Sequence, residues 1–472
     1  MSENGRHCSV WTQCLHNLKG RLKDRLPFFQ TASGCEKAII RPLPTREGNV
    51  CTVFRMPAPH TDFDKGRPRW RNAVSPLPAF LPAMTILIAA PFCSLPGEPY
   101  FNRFRYLAET LAARHDVVLL TSRFRHHDKS FRRPEDAAAA SAGRLKVVLL
   151  DEAGYRKNVS IGRLKSHRDF VRNLDAWLAA QKAGAFGAVY SAYPLIASNL
   201  VLGRYKARLG YRLLIDVQDV WPESFSAVLP VLAKLPPRLV PFARKADRAY
   251  ACADALAAVS QSYLARARAA NPAVLHEAVY IGADFAAVAA APARVFAERK
   301  TRLFYLGTLS HSYDVETVCR GVRLLRQRGE DAELHICGGG GDEARLRAAY
   351  AGQGTVFHGY LPYADMLSLA KGCDMAVNAI HSHAPQSVTN KLSDYMALQK
   401  PVLNSQTHPE VRRLLGLLPH EHYQSGDAED FAAAFGRLKN HAAPVRSAEI
   451  ARLFDRRASY RRLTDLIESL LP

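Results

Sequence analysis

Several features are scarce in this chain of 472 residues. Its nine cysteines are scattered singly, with no Cys-x-x-Cys pair and no spaced His/Cys cluster. That argues against a structural zinc and for reduced, cytoplasmic thiols. No run of about 18 uncharged apolar residues occurs, so no membrane-spanning helix is expected. The amino terminus lacks the charged, apolar and small-residue segments that make up a secretory leader in order. Acids are few: 43 Asp and Glu stand against 64 Lys and Arg, for a net charge of +21 and a pI near 9.7. Such an excess points to anionic partners, whether nucleotides, a phospholipid surface or nucleic acid. A nucleic-acid binder would show clustered basic and aromatic residues in a recognisable module, and none is present.

What is present reads as a globular chain too long for one core. Residues 1–83 stand apart. They hold Cys8, Cys14, Cys35 and Cys51, and prolines from Pro42 to Pro82 interrupt any helical or strand period. The expectation is a disordered extension or an over-read start, with Met84 as the working beginning. From Met84, strand-like and helix-like stretches alternate, the pattern of parallel α/β layers. Strands are expected at Thr85–Ala90, Asp116–Thr121, Leu145–Leu150, Ala188–Ser191, Leu213–Val217, Ala255–Val259 and Ala278–Ile281. A second series begins at Thr301 and continues through AELHICG, TVFHGY, CDMAVNAI and KPVLNS. The reading is two Rossmann-like domains, 84–285 and 301–447, joined by an alanine-rich connector at 286–300. A basic amphipathic helix follows over 448–472.

Chemistry is expected in loops after strands, where open α/β sheets bind ligands. The richest stretch is QSVTNKLSDYMALQKPVLNS, 386–405. Ser387, Thr389 and Asn390 are small polar residues suited to a helix start. Lys391 and Asp394 sit three apart on one helix face. A helix amino terminus with a lysine in its first turn suits a diphosphate, and an acid one turn on suits a ribose. A capped amphipathic helix with a surface Lys–Asp pair fits the same residues.

Other loops offer less. Gly97, in the loop after the first strand, permits a close backbone approach to a phosphate or sugar, or is simply a turn. LLIDVQDVWPES gathers Asp216, Asp219, Trp221 and Glu223 at a strand's end, which suggests a cleft, although Asp219 is also placed to cap the next helix. In the second series Gly307 and Thr308 end a strand where backbone N–H groups can meet phosphate. Gly338, in a run of four glycines, allows close approach or a tight turn. Segment 225–250 mixes apolar residues with five basic ones. That pattern suits an anionic membrane interface or a solvated basic face.

Two of these stretches carry a resemblance. The runs Asp-x-x-Asp-x-Trp-Pro-Glu-Ser at 216–224 and 386–405 resemble family 4 retaining glycosyltransferases of the GT-B fold, in particular the bacterial surface-polysaccharide branch. The resemblance implies two Rossmann-like domains facing each other across a cleft, with the final helix crossing back to the first domain. It implies sugar transfer with retention from a nucleotide-diphosphate donor, a UDP- or GDP-sugar, to a saccharide or lipid-linked acceptor. No metal or other cofactor belongs to such a site, because positive side chains and helix dipoles neutralise the leaving diphosphate. Asp394 falls at the second motif acid, and Gln386 falls at the first, where glutamate is usual. Asp219, Lys391 and Gln386 would then be the catalytic group. Gly97, Gly307, Thr308, Gly338, Tyr360, Ser387, Asn390 and Asp394 would bind the donor, Tyr360 by stacking on the base. The loop after Gly307 lacks the family's usual arginine and lysine, which leaves Lys391 as the main phosphate cation. Lipid-linked acceptors imply a peripheral position on the inner face of the plasma membrane. Nucleotide-sugar 2-epimerases share this architecture, so that activity stays open too.

Overall fold

The first expected strand is the centre of the observed fold. In the computed structural model, which describes residues 84–98, 101–157, 160–223, 240–382, 384, 387–441 and 443–472, β1 (Thr85–Ala89) pairs in parallel with neighbours on both edges. The expected extension 1–83, Gln386 and residues 225–239 of the basic segment lie outside the described residues. Ile86, Leu87 and Ile88 are fully buried, as a continuous apolar run must be when helices cover both faces of a parallel sheet.

Around β1 stand β2 (Asp116–Ser122), β5 (Leu145–Leu150), β6 (Ala188–Tyr193), β7 (Arg212–Val217), β8 (Ala255–Ala258) and β9 (Leu275–Ala278). A two-stranded hairpin of β3 (Phe124–Arg125) and β4 (Ser130–Phe131), which no sequence pattern announced, lies outside this sheet. The order is β5-β2-β1-β6-β7-β8-β9, all parallel. Helices Ile161–Ala179, Ile196–Leu209, Ala243–Ala251 and Gln261–Arg268 pack on one face. Helices Arg103–Ala112 and Arg461–Glu468 cover the other.

The second sheet comprises β10 (Thr301–Leu306), β11 (Ala332–Cys337), β12 (Thr355–Gly359), β13 (Met375–Asn378), β14 (Val402–Asn404) and β15 (His420–His422). Its order is β12-β11-β10-β13-β14-β15, again parallel. The chain is thus an α/β protein of two Rossmann-like halves. Loops after the carboxyl ends of β8 and β13 touch, with Ser260 and Ser387 hydroxyls 3.3 Å apart, so the two sheets present their ligand-binding edges to each other.

Two expectations need correction, and a third gains detail. The last strand of the first sheet is Leu275–Ala278 rather than Ala278–Ile281. Past Ala278 the backbone is satisfied by side chains, since Arg103 donates to the Val279 and Tyr280 carbonyls and Tyr460 donates to that of Ile281. The connector carries a helix, Phe285–Ala290, capped by Asp284. The tail is three helices, Ser447–Phe454, Arg456–Ser459 and Arg461–Glu468, rather than one. The first buries Ile450 and Phe454 in the second half, and the last buries Leu463 and Ile467 in the first. A straight helix could not serve both cores. Asp455, in extended conformation, makes the break and caps the next helix by accepting from the Arg457 N–H at 3.0 Å.

Candidate functional site

Helix Asn390–Leu398 forms where the apolar spacing places it, burying Leu392, Tyr395 and Met396, and it ends at Gln399 in left-handed conformation before Pro401. Tyr395 fixes it to the sheet. Its hydroxyl donates to the Val377 carbonyl at 3.0 Å and accepts from the Leu306 N–H at 2.9 Å. At the other end, Thr389 occupies the N-cap position without a side-chain cap bond. Of the first-turn N–H groups, that of Leu392 donates to the Thr389 carbonyl at 3.1 Å. Ser387 is buried, and its carbonyl accepts from Gln406 Nε2 at 2.9 Å. Asn390 is exposed.

Lys391 is the unusual group. It is only 7% exposed, yet among the described residues no carboxylate lies within ion-pair reach. Nζ donates to the Tyr305 hydroxyl at 3.2 Å and stands 4.6 Å from the Tyr305 ring centre and 3.8 Å from that of Tyr313. Burial drives its pKa well below that of an ordinary lysine. Gly307 makes the room: at φ +134°, a Cβ there would stand 3.0 Å from Nζ. Gly338 in turn lies against Gly307, where a Cβ would meet the Gly307 carbonyl oxygen at 2.0 Å. The close approach that its glycine permits is thus to the neighbouring loop. Thr308 is half-buried and offers its carbonyl to the Tyr305 hydroxyl at 2.9 Å.

Asp394 does not pair with Lys391. It is half-buried and accepts from the Tyr363 hydroxyl at 2.9 Å. Burial pushes its carboxyl up to about 6, against the lowering effects of that hydrogen bond and of Arg456. Tyr360 follows β12 with 73% of its surface exposed. A flat, open ring at a strand's carboxyl end is available for stacking.

In the first half the acids of 216–223 divide. Asp216 is fully buried against Arg103 at 3.1 Å, and Glu223 is ion-paired with Arg266. Asp219 is half-buried just past the end of β7. Burial, with the Asp219 carboxylate nearby and against the pull of a Ser387 hydrogen bond, pushes the Tyr263 phenol up to about 12. Gly97 sits in an exposed turn at φ +82° with open space around it.

Sequence reasoning missed Glu410. From the second half it accepts from the Gln261 and Ser262 N–H groups at 2.8 and 3.1 Å and from the Tyr280 hydroxyl at 2.9 Å. It thereby caps a helix of the other half. As a first-turn acid after Pro409 it reads as an ordinary helix start, and no local signal reveals a distant partner. Among the described residues no three His, Cys, Asp or Glu side chains converge as metal ligands.

Comparison with known proteins follows this geometry. Residues 300–441 match the family described as glycosyl transferases group 1. No curated protein sequence matches. Among solved structures, a sucrose-phosphate synthase from Thermosynechococcus elongatus is similar at a TM-score of 0.58 and 15% identity, over 82% of this chain and 99% of that one. The lipopolysaccharide outer core galactosyltransferase WaaB gives 0.55 and 16%, over 82% and 100%. Anabaena Alr3699/HepE in complex with UDP-glucose gives 0.53 and 14%, over 82% and 100%. Two parallel sheets meeting at their carboxyl edges, the crossing tail and these likenesses together make this the GT-B fold, with residues 300–441 matching the group 1 glycosyl transferases.

Proposed function

We propose that this protein is a retaining glycosyltransferase. It moves a hexosyl or N-acetylhexosaminyl group from a nucleotide-diphosphate sugar to a saccharide or lipid-linked acceptor in polysaccharide biosynthesis. The observation that carries the reading is Lys391, a buried lysine with only neutral partners among the described residues, at a helix amino terminus beside the Gly307 turn. A group so placed lacks an anion. A leaving diphosphate supplies one, and in a low-dielectric site its stabilisation by fixed charge and N–H dipoles is far stronger than in water. In this reading Asp394 accepts from the ribose, Tyr360 stacks on the base and Asp219 faces the sugar from the opposite half. Gln386 is assigned to the sugar by its place in the motif. The nucleotide sugar is a substrate, and no cofactor enters. The acceptor would be met at the inner face of the membrane. Of segment 225–250, the described part exposes Phe242, Arg244 and Lys245.

The test is a thermal-stabilisation panel of UDP, GDP and their sugars, since a ligand of the folded state raises stability by mass action. UDP-glucose comes first because Alr3699/HepE is seen with it. Product analysis with acceptor present should then show the donor's anomeric configuration kept. An inverted product, turnover of donor with no acceptor, or no stabilisation by any nucleotide would each replace the proposal.

Asp394 adds a pH signature. Its folded carboxyl, near 6, lies above the unfolded value of about 3.9. The folded state therefore holds the extra proton between them, and this group's contribution to stability falls as pH rises through about 6. A ribose hydroxyl is held better by the carboxylate, so nucleotide affinity should rise over the same range. Asp394→Asn is expected to flatten both curves. Parallel slopes in parent and variant would remove Asp394 from the site.

A further inference from the structure

Three helices lie side by side on one face of the first sheet: Ile161–Ala179, Ile196–Leu209 and Ala243–Ala251. Each follows a strand in a parallel crossover, so each begins at the carboxyl edge of the sheet, which is the edge of the cleft. At one end of this row the surface is built unlike ordinary protein exterior. Ile161 is 86% exposed and Leu164 is 65% exposed, and a spacing of three puts them on one helix face. Lys165 and Arg168 stand four residues on from each along the same helix face, and Arg156 and Lys157 precede them in the chain, all exposed. None of these four cations has an ion-pair partner among the described residues. A single exposed apolar side chain is commonplace. Two neighbours accompanied by four uncompensated cations are complementary to an apolar layer beneath a negative surface.

We propose that this rim docks on an anionic phospholipid membrane, with Ile161 and Leu164 entering the headgroup boundary and Lys165 and Arg168 lying on its negative charge. No described helix is long and apolar enough to cross a membrane, so the mode is interfacial. At the far end of the same helix row, about 20 Å away for helices packed 8–10 Å apart, Phe242 is 55% exposed beside Arg244 and Lys245. It forms a second foot of the same chemistry at the same edge. The proposal deepens the acceptor reading above, because a membrane held against the cleft edge brings a lipid-linked acceptor to the site. Docking itself does not depend on sugar transfer.

Flotation of the full chain with vesicles of phosphatidylcholine containing phosphatidylglycerol, against phosphatidylcholine alone, tests it. The parent should float with the anionic vesicles and lose them as salt rises. Ile161→Glu/Leu164→Glu and, separately, Lys165→Glu/Arg168→Glu should each lower vesicle affinity about tenfold or more, given the attraction of each basic residue to an anionic leaflet. Melting temperature and stabilisation by nucleotide should match the parent's, which shows that the fold and the donor site are intact. Failure of nucleotide binding in the parent would strike the transferase reading and leave docking standing. Three results would overturn docking at this rim: undiminished flotation in both variants, equal binding to neutral vesicles, or loss of flotation only on changing Arg244 and Lys245. A change of oligomeric state in Ile161→Glu/Leu164→Glu with unchanged flotation would also overturn it, marking the face as a contact between copies.

Discussion

Replacing Lys391 by methionine is expected to weaken nucleotide-diphosphate binding roughly 10- to 100-fold, the range of a charge-assisted hydrogen bond, while making the ligand-free protein more stable. The two effects share one cause. In the empty site the amino group is buried among two tyrosine rings and a glycine turn, with only a phenol beside it. A methionine of similar length keeps the packing and removes a buried, under-satisfied amine, which recovers about 1–3 kcal/mol. The pH dependence has a fixed sign. Burial sets the folded lysine's pKa well below the unfolded value near 10.4. Between the two the unfolded chain binds more protons, so stability rises with pH across that window. The variant should lose that slope. Diphosphate binding should draw a proton onto Lys391 in the same window, measurable by calorimetry in buffers of different ionisation heat. A variant that binds like the parent, or melts earlier than it, would show that Lys391 is a packing residue.

The second large effect belongs to Arg103 and Asp216. Both are almost fully buried, at 2% and 0% exposure. Arg103 Nη1 donates to the two Asp216 oxygens at 3.3 and 3.1 Å, and Nη2 donates to the Tyr280 carbonyl at 2.9 Å. Tyr190 donates to the same carboxylate, and the guanidinium lies 4.9 Å from the Tyr460 ring of the tail. One side chain thus joins helix Arg103–Ala112, β7, the backbone beyond β9 and the crossing segment. Changing either partner alone leaves a buried charge uncompensated, at a cost of about 3–5 kcal/mol. Changing Arg103 to methionine, Asp216 to leucine and Tyr190 to phenylalanine together should recover most of that, because an apolar set of similar volume is often neutral. Urea unfolding followed by tryptophan fluorescence checks it, with Trp177 and Trp221 in this half and Trp11 and Trp70 replaced by phenylalanine so that the signal comes from here. Single changes costing less than about 1 kcal/mol would mean that water reaches the pair.

The sheets were legible because their strands are short apolar runs between turn residues. β5 falls at Leu145–Leu150 as its sequence pattern places it, and β1 and β2 differ from expectation by a residue. β15 is three residues of His and Glu, too short and too polar to show a strand period. The acids at 216–223 look alike in one dimension. Only the fold shows that Asp216 is held by Arg103 and Glu223 by Arg266. The surroundings of Lys391 were hidden for a similar reason: Tyr305 and Tyr313 lie some 80 residues earlier and carry no motif. Its charge and its place in a first turn were visible. Its isolation from every described carboxylate was not.

The clamp at Glu410 has a mechanical consequence. The described hydrogen bonds between the halves gather beside β8 and β9: Glu410 to Gln261, Ser262 and Tyr280, and Ser387 to Ser260. The tail also crosses beside Ala283, whose N–H donates to the Phe454 carbonyl at 2.8 Å. For a rotation of the halves about that corner, the sheet would be a lever arm. β5 stands five strand spacings from β8 in the sheet order, or about 24 Å at 4.8 Å each, so a 10° rotation carries its end by about 4 Å. Groups at the corner, Ser260 and Ser387 among them, would keep their separation while the far edge moved. The helix bearing Ile161 begins at that far edge, just after β5. Whatever grips that helix therefore grips the long end of the lever, where a small force has the greatest turning moment on the cleft.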